Sequence, residues 1–104
     1  MPFKKRHGNV RTLGAVSTGN DTAVLQAHEY DGYTAYFEVP GVTVVDVYGS
    51  YDGATWFKVY GLQYIYTGAG NSAEKLGGPL PLYIKFSPSS GSLTSSFAEL
   101  WRSI

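Results

Sequence analysis

Six acidic residues, Glu29, Asp31, Glu38, Asp46, Asp52 and Glu74, are the side chains in this sequence best suited to proton transfer. Two carboxylates facing each other across a cleft run general acid–base chemistry on a glycosidic bond. Their spacing here sets no two of them in a common cleft. Histidine is scarce: His7 lies near the amino terminus and His28 directly precedes Glu29. With no cysteine in the chain, two separate histidines do not make a usual zinc site, and no thiol nucleophile exists. A Ser-His-acid triad would have to draw on those same histidines, and no Gly-x-Ser-x-Gly elbow occurs. The glycine-rich run "GAGNSAEK" (68–75) lacks the Lys-Ser/Thr ending of a phosphate loop. Loop carboxylates suit calcium, which needs oxygen ligands but no fixed motif, so composition leaves such a site open. The expectation is a protein without catalytic residues, resident metal or cofactor.

The stretch "VVDVYGSYDGATWFKVYG" (44–61) poses a sharper question. Two runs of β-type residues flank Asp52-Gly53. Glycine accepts positive φ and aspartate bonds nearby backbone amides, so this pair builds a tight corner without any chemistry. Asp31-Gly32 has the same form. The tyrosines carry the functional signal instead. Tyr36, Tyr48, Tyr60 and Tyr83 fall on or near faces expected to point outward, and Tyr51 sits at the hairpin tip. Aromatic rings with a polar handle are enriched at protein interfaces.

These residues must be positioned by a small body. The 104 residues fit one domain with a modest core. Hydrophobic residues make up 43% and charged residues 15%, a globular balance with a weakly charged surface. Net charge is zero but unevenly placed. Residues 1–11 hold Lys4, Lys5, Arg6 and Arg11 and no acid, whereas the rest holds all eight acids against Lys58, Lys75, Lys85 and Arg102. A flexible basic arm (1–11) therefore precedes an acidic body (12–104). The arm is expected to dock on an acidic neighbour rather than on nucleic acid, because the body has no matching basic stripe. No apolar run nears the ~20 residues of a membrane span, and no apolar stretch follows the basic start as in a secretory signal. A soluble protein made in a cytoplasm is expected.

Alternation of period two recurs along the chain and helical periodicity does not. Short strands are predicted over 11–17, 21–27, 33–39, 42–50, 55–62, 63–67 and 82–86. In 33–39, Tyr33, Ala35, Phe37 and Val39 share the inward face. In 42–50, Val45 and Val47 face inward and Asp46 marks the wet face. Phe57 and Val59 are placed inward, with Lys58 outward. Leu82, Ile84 and Phe86 are predicted inside, with Tyr83 and Lys85 outside. The segment 68–81 reads as a long turn-rich loop, and 92–104 is open between strand and helical turn. The fold class is all-β, a single antiparallel sandwich, jelly-roll or discoidin-like, of about seven or eight short strands.

The central hairpin, with Gly49, Ser50, Asp52, Gly53 and Trp56 in order, resembles a pattern of small bacteriophage virion proteins. There a strand ends in Gly-Ser, Asp-Gly turns the corner and Trp opens the return strand. The same hairpin is similar to those of discoidin-like and carbohydrate-binding sandwiches, and "LYIKFS" (82–87) resembles a later strand of both groups. The resemblance spans residues 33–100. Its length, basic arm and tyrosine-rich faces make the chain look like a capsid decoration (cement) protein. That resemblance implies a non-enzymatic homotrimer on the outer capsid surface of the virion. It implies the major capsid protein as partner, the arm (Lys4, Lys5, Arg6, Arg11) as capsid-binding element, and Tyr36, Tyr48, Tyr51, Tyr60 and Tyr83 as interface aromatics. The alternatives are a carbohydrate-binding module, with a glycan platform on Tyr36, Tyr48, Tyr51 or Trp56, and a tail or neck structural protein.

Overall fold

Period-two alternation becomes eight strands in the structure, a computed structural model that describes residues 10–102. They are β1 (Val10–Thr12), β2 (Leu25–Gln26), β3 (Gly32–Val39), β4 (Thr43–Ser50), β5 (Phe57–Tyr66), β6 (Gly70–Gly77), β7 (Tyr83–Ser90) and β8 (Ser95–Trp101). The pairs β4–β5, β3–β6, β2–β7 and β1–β8 are all antiparallel. The chain is thus one long ribbon doubled back at the β4–β5 hairpin. Rolling the ribbon adds the pairs β3–β8 and β4–β7 and gives two four-stranded sheets, β1-β8-β3-β6 and β2-β7-β4-β5. This is the order of a jelly roll, the first of the two sandwich forms expected.

The sheets meet through the faces that alternation assigns inward. Tyr33, Ala35, Phe37 and Val39 of β3 and Val45 and Val47 of β4 are all buried, as expected. Phe86 lies at the centre. It takes Tyr33 edge-on at 5.5 Å and Phe37 at 5.3 Å between ring centroids. Such T-shaped contacts match ring edge to ring face. Ile84 is buried with Phe86, while Leu82 is only half-buried.

Several local expectations need correction. The strands predicted over 11–17 and 21–27 shrink to β1, β2 and an isolated bridge between Val16 and Leu93. Gly14 and Gly19 adopt positive φ between them and break the ladder. Arg11, assigned to the arm, lies in β1 opposite Ala98, and its Nη1 donates to the Val10 carbonyl at 3.1 Å. Lys4, Lys5 and Arg6 lie outside the described residues.

Predicted strands 55–62 and 63–67 merge into β5. Asp46 faces Gln63 and Tyr48 faces Lys58, so Val47 alone opposes residues 59–62, with Gly61 at a φ of 76°. Across that bulge the register sets Phe57 opposite Gly49, on the inward face. Phe57, expected inward, is exposed. Its cross-strand partner is Gly49, where a Cβ would lie 2.6 Å from Pro81 Cγ, so Pro81 fills the inward space. Asp46, expected on the wet face, is buried. It points away from the core, but Gln63 Nε2 donates to it at 2.7 Å and Lys58 Nζ stands 3.6 Å away, covering it.

The predicted loop 68–81 contains β6, paired with β3 over eight consecutive residues without a bulge. The ambiguous 92–104 segment is strand over β8, and 97–101, the stretch open to a helical turn, lies within it.

Candidate functional site

The β4–β5 corner is built by side-chain bonds to its own backbone. Ser50 Oγ accepts from Asp52 N at 3.3 Å and from Gly53 N at 2.9 Å. Asp52 Oδ1 accepts from Ala54 N and Thr55 N, both at 2.8 Å, and from the Ser50 hydroxyl at 3.0 Å. The Thr55 and Ala54 amides, and then Ser50, hold the Asp52 carboxyl down at about 2, from an ordinary 3.8. Gly53 takes a φ of 78°, as a tight corner demands. Three of the five hairpin residues named from the sequence, Ser50, Asp52 and Gly53, meet here, while Gly49 stays in the β4 ladder opposite Phe57. Trp56 turns aside, with Lys85 Nζ 4.3 Å from its ring centre.

The acids do not converge. Asp21 pairs with Lys85 at 2.8 Å, Asp46 engages Gln63 and Lys58, and Glu38 Oε1 accepts from Ser95 Oγ at 3.1 Å. Glu74 Oε2 accepts from Tyr66 Oη at 2.7 Å and Ser72 Oγ at 2.9 Å, inside the β5–β6 edge. Nearby, the Tyr33 and Tyr64 hydroxyls share a bond of 2.7 Å across the sheets. Burial pushes all three tyrosine hydroxyls up, Tyr33 and Tyr66 the furthest, so they stay neutral and act as a clasp between the sheets. Among the described residues no cluster of three or more His, Asp or Glu could hold a metal ion. His28 packs edge-on against Tyr83 at 5.1 Å.

The expected interface aromatics separate. Tyr51 is exposed at the hairpin tip, while Tyr36, Tyr48 and Tyr83 are half-buried on outer faces. The side chain of Tyr60 lies outside what is described. Tyr36 has a partner that the sequence did not name. Its ring stacks on Phe97 of β8, centroids 4.8 Å apart and planes within 20°. The sequence of 92–104 fits strand and helical turn alike, so spacing alone does not show which way Phe97 faces.

Beside this pair the outer face of the first sheet is hollowed. A concavity of about 430 Å³ is lined by Tyr36, Glu38, Asn71, Ala73, Ser95 and Phe97, with Phe37 and Ser72 beneath. β3, β6 and β8 position these side chains, since register sets Phe97, Tyr36 and Ala73 in one row and Ser95, Glu38 and Asn71 in the next. Asn71, Ser72 and Ala73 come from β6, where the sequence predicts a loop. A second hollow, about 390 Å³, follows the β5–β6 turn past Tyr66, Gly68 and Ser72. Compared with known proteins, the chain matches no family model, no curated protein and no solved structure.

Proposed function

We propose that this protein works by adhesion, as a non-enzymatic structural protein of a phage virion of the capsid decoration type. It binds the major capsid protein on the outer shell and associates with its own copies as a homotrimer. The supporting observation is the apolar surface held out at both ends of the β4–β5 hairpin. Tyr51 and Phe57 are 69% and 61% exposed at the corner end, and Val42 and Ile65 are each 64% exposed at the other. Apolar and aromatic side chains offered in this way are interface anchors. A trimer engaging several shell subunits at once multiplies weak contacts without needing new ones. The basic residues Lys4, Lys5 and Arg6 add attraction to an acidic neighbour. The jelly roll is an architecture used by viral capsid proteins, which is an analogy of fold and not of site.

The test is co-sedimentation of the purified protein with phage shells, alongside a variant lacking residues 1–9 and the double variant Tyr51→Ser, Phe57→Ser. The intact protein is expected to saturate the shells, and each variant to bind more weakly while keeping its strand-rich circular dichroism. Absence of saturable binding by the intact protein refutes the reading.

A further inference from the structure

The hollow beside Tyr36 has a shape and a set of polar groups that the adhesive role does not use. The separation of the Tyr36 and Phe97 rings, 4.8 Å, equals the spacing of neighbouring strands. The two rings therefore stand up from the sheet side by side, as their strands do. Phe97 covers one face of Tyr36. The other face looks toward β6, where the register partner is Ala73, and a single methyl group cannot fill the space. An aromatic wall is left above a low shelf.

The next row supplies the polar groups. Glu38 stands between Ser95 on β8 and Asn71 on β6. Ser95 bonds Glu38 through Oε1, which leaves Oε2 to accept from a ligand. The Asn71 amide both donates and accepts. The volume, about 430 Å³, lies at the lower end of the ~300–1,000 Å³ common for small-molecule sites.

We infer that this concavity binds a neutral saccharide, with the C–H face of one pyranose ring against Tyr36 and its hydroxyls on Glu38 and Asn71. The electron-rich face of an aromatic ring attracts the weakly positive C–H groups on one side of a pyranose. A sugar hydroxyl donates and accepts at once, so it satisfies carboxylate and amide together. A guanidinium or ammonium only donates and would leave the Asn71 donors facing it without an acceptor. Lys75, in the neighbouring row of β6, is drawn to Trp101, 5.5 Å from its ring centre. The site is independent of any association with a virion, because it needs only the monomer.

The experiment is a titration of the ¹⁵N-labelled protein with maltoheptaose, cellohexaose and chitohexaose in turn, followed by amide chemical shifts. At least one oligosaccharide is expected to give saturable shifts confined to Tyr36, Glu38, Asn71, Ala73 and their neighbours. Tyr36→Ala should weaken that binding about tenfold or more. Asn71→Ala, on an exposed edge position, should weaken it with the rest of the spectrum unchanged. Absence of saturable shifts with all three sugars overturns the inference. So do shifts centred elsewhere, or an equal response to arginine amide used as a cationic probe.

Discussion

Gly32 opens β3 with no side chain because the room for one belongs to the indole of Trp101, which a Cβ at that position would overlap. At Gly77 the same ring would lie 3.1 Å from an added Cβ. Gly32→Ala should therefore destabilise the fold by about 1–3 kcal/mol in urea denaturation, and Gly77→Ala by less. Equal stability of the Gly32 variant and the parent would show that Trp101 does not hold that place. The sequence offered Asp31-Gly32 as a turn, since spacing alone does not reveal a ring arriving from residue 101. Asp52 was readable because its partners, Ser50, Ala54 and Thr55, are all within three residues of it. Its titration has a clear sign. The folded carboxyl is held at about 2 against 3.8, so its stabilisation is complete above 3.8 and fades as pH falls toward 2. Asp52→Asn should flatten that part of the acid limb, and an unchanged acid limb would exclude the role. The tyrosine hydroxyls act at the opposite extreme. Burial raises Tyr33, Tyr64 and Tyr66 above 10.0, so the fold loses stability as pH climbs past 10.0 and unfolded chains ionise first.

Among the elements, β6 is where reading and structure part most. Four glycines and two prolines in 68–81 signal a loop, yet Ser72, Glu74 and Leu76 alternate with Asn71, Ala73 and Lys75 as a strand requires. The alternation is hard to see because both faces are polar at their ends, one of them turned into the Tyr66 clasp. Gly78 N donates to Asp31 O and Thr94 N to Glu38 O, which fixes the direction in which each β3 residue bonds. The odd residues of β3 bond toward β6, so Gly70, Ser72, Glu74 and Leu76 bond back to β3. Asn71, Ala73, Lys75 and Gly77 turn their amides outward. Hydrogen exchange should separate the two sets, with Ser72, Glu74 and Leu76 protected and Asn71, Ala73 and Lys75 fast. Uniform fast exchange across 70–77 would mean that the strand is not formed. β3 and β4 were legible for the converse reason, a run of large apolar residues at every second place. Phe57 and Asp46 were not, since Pro81 in the inward space and a cover of long side chains decide their burial and neither is local in sequence.

For the whole molecule, an antiparallel sandwich follows from the density of short alternating runs, and that much composition and spacing conveyed, whereas the doubled ribbon appears only in the strand pairing. The hollow on the first sheet did not follow, since it needs three strands in register and one of them was unseen. The pairing of β1 with β8 has a further consequence. Val10 lies opposite Glu99, so the first and last described strands run side by side and their free ends emerge at one corner. A short bridge from Arg102 to Val10, with the backbone opened instead in the 67–69 turn, should give a circular permutant that melts cooperatively within a few degrees of the parent. A permutant that fails to melt cooperatively would show that the order of synthesis matters to this architecture. Cargo joined directly to Val10 or to Arg102 should leave from that same corner, at the end of the sandwich where β3 begins and β4 runs into its turn, so both attachment points share one pole of the molecule.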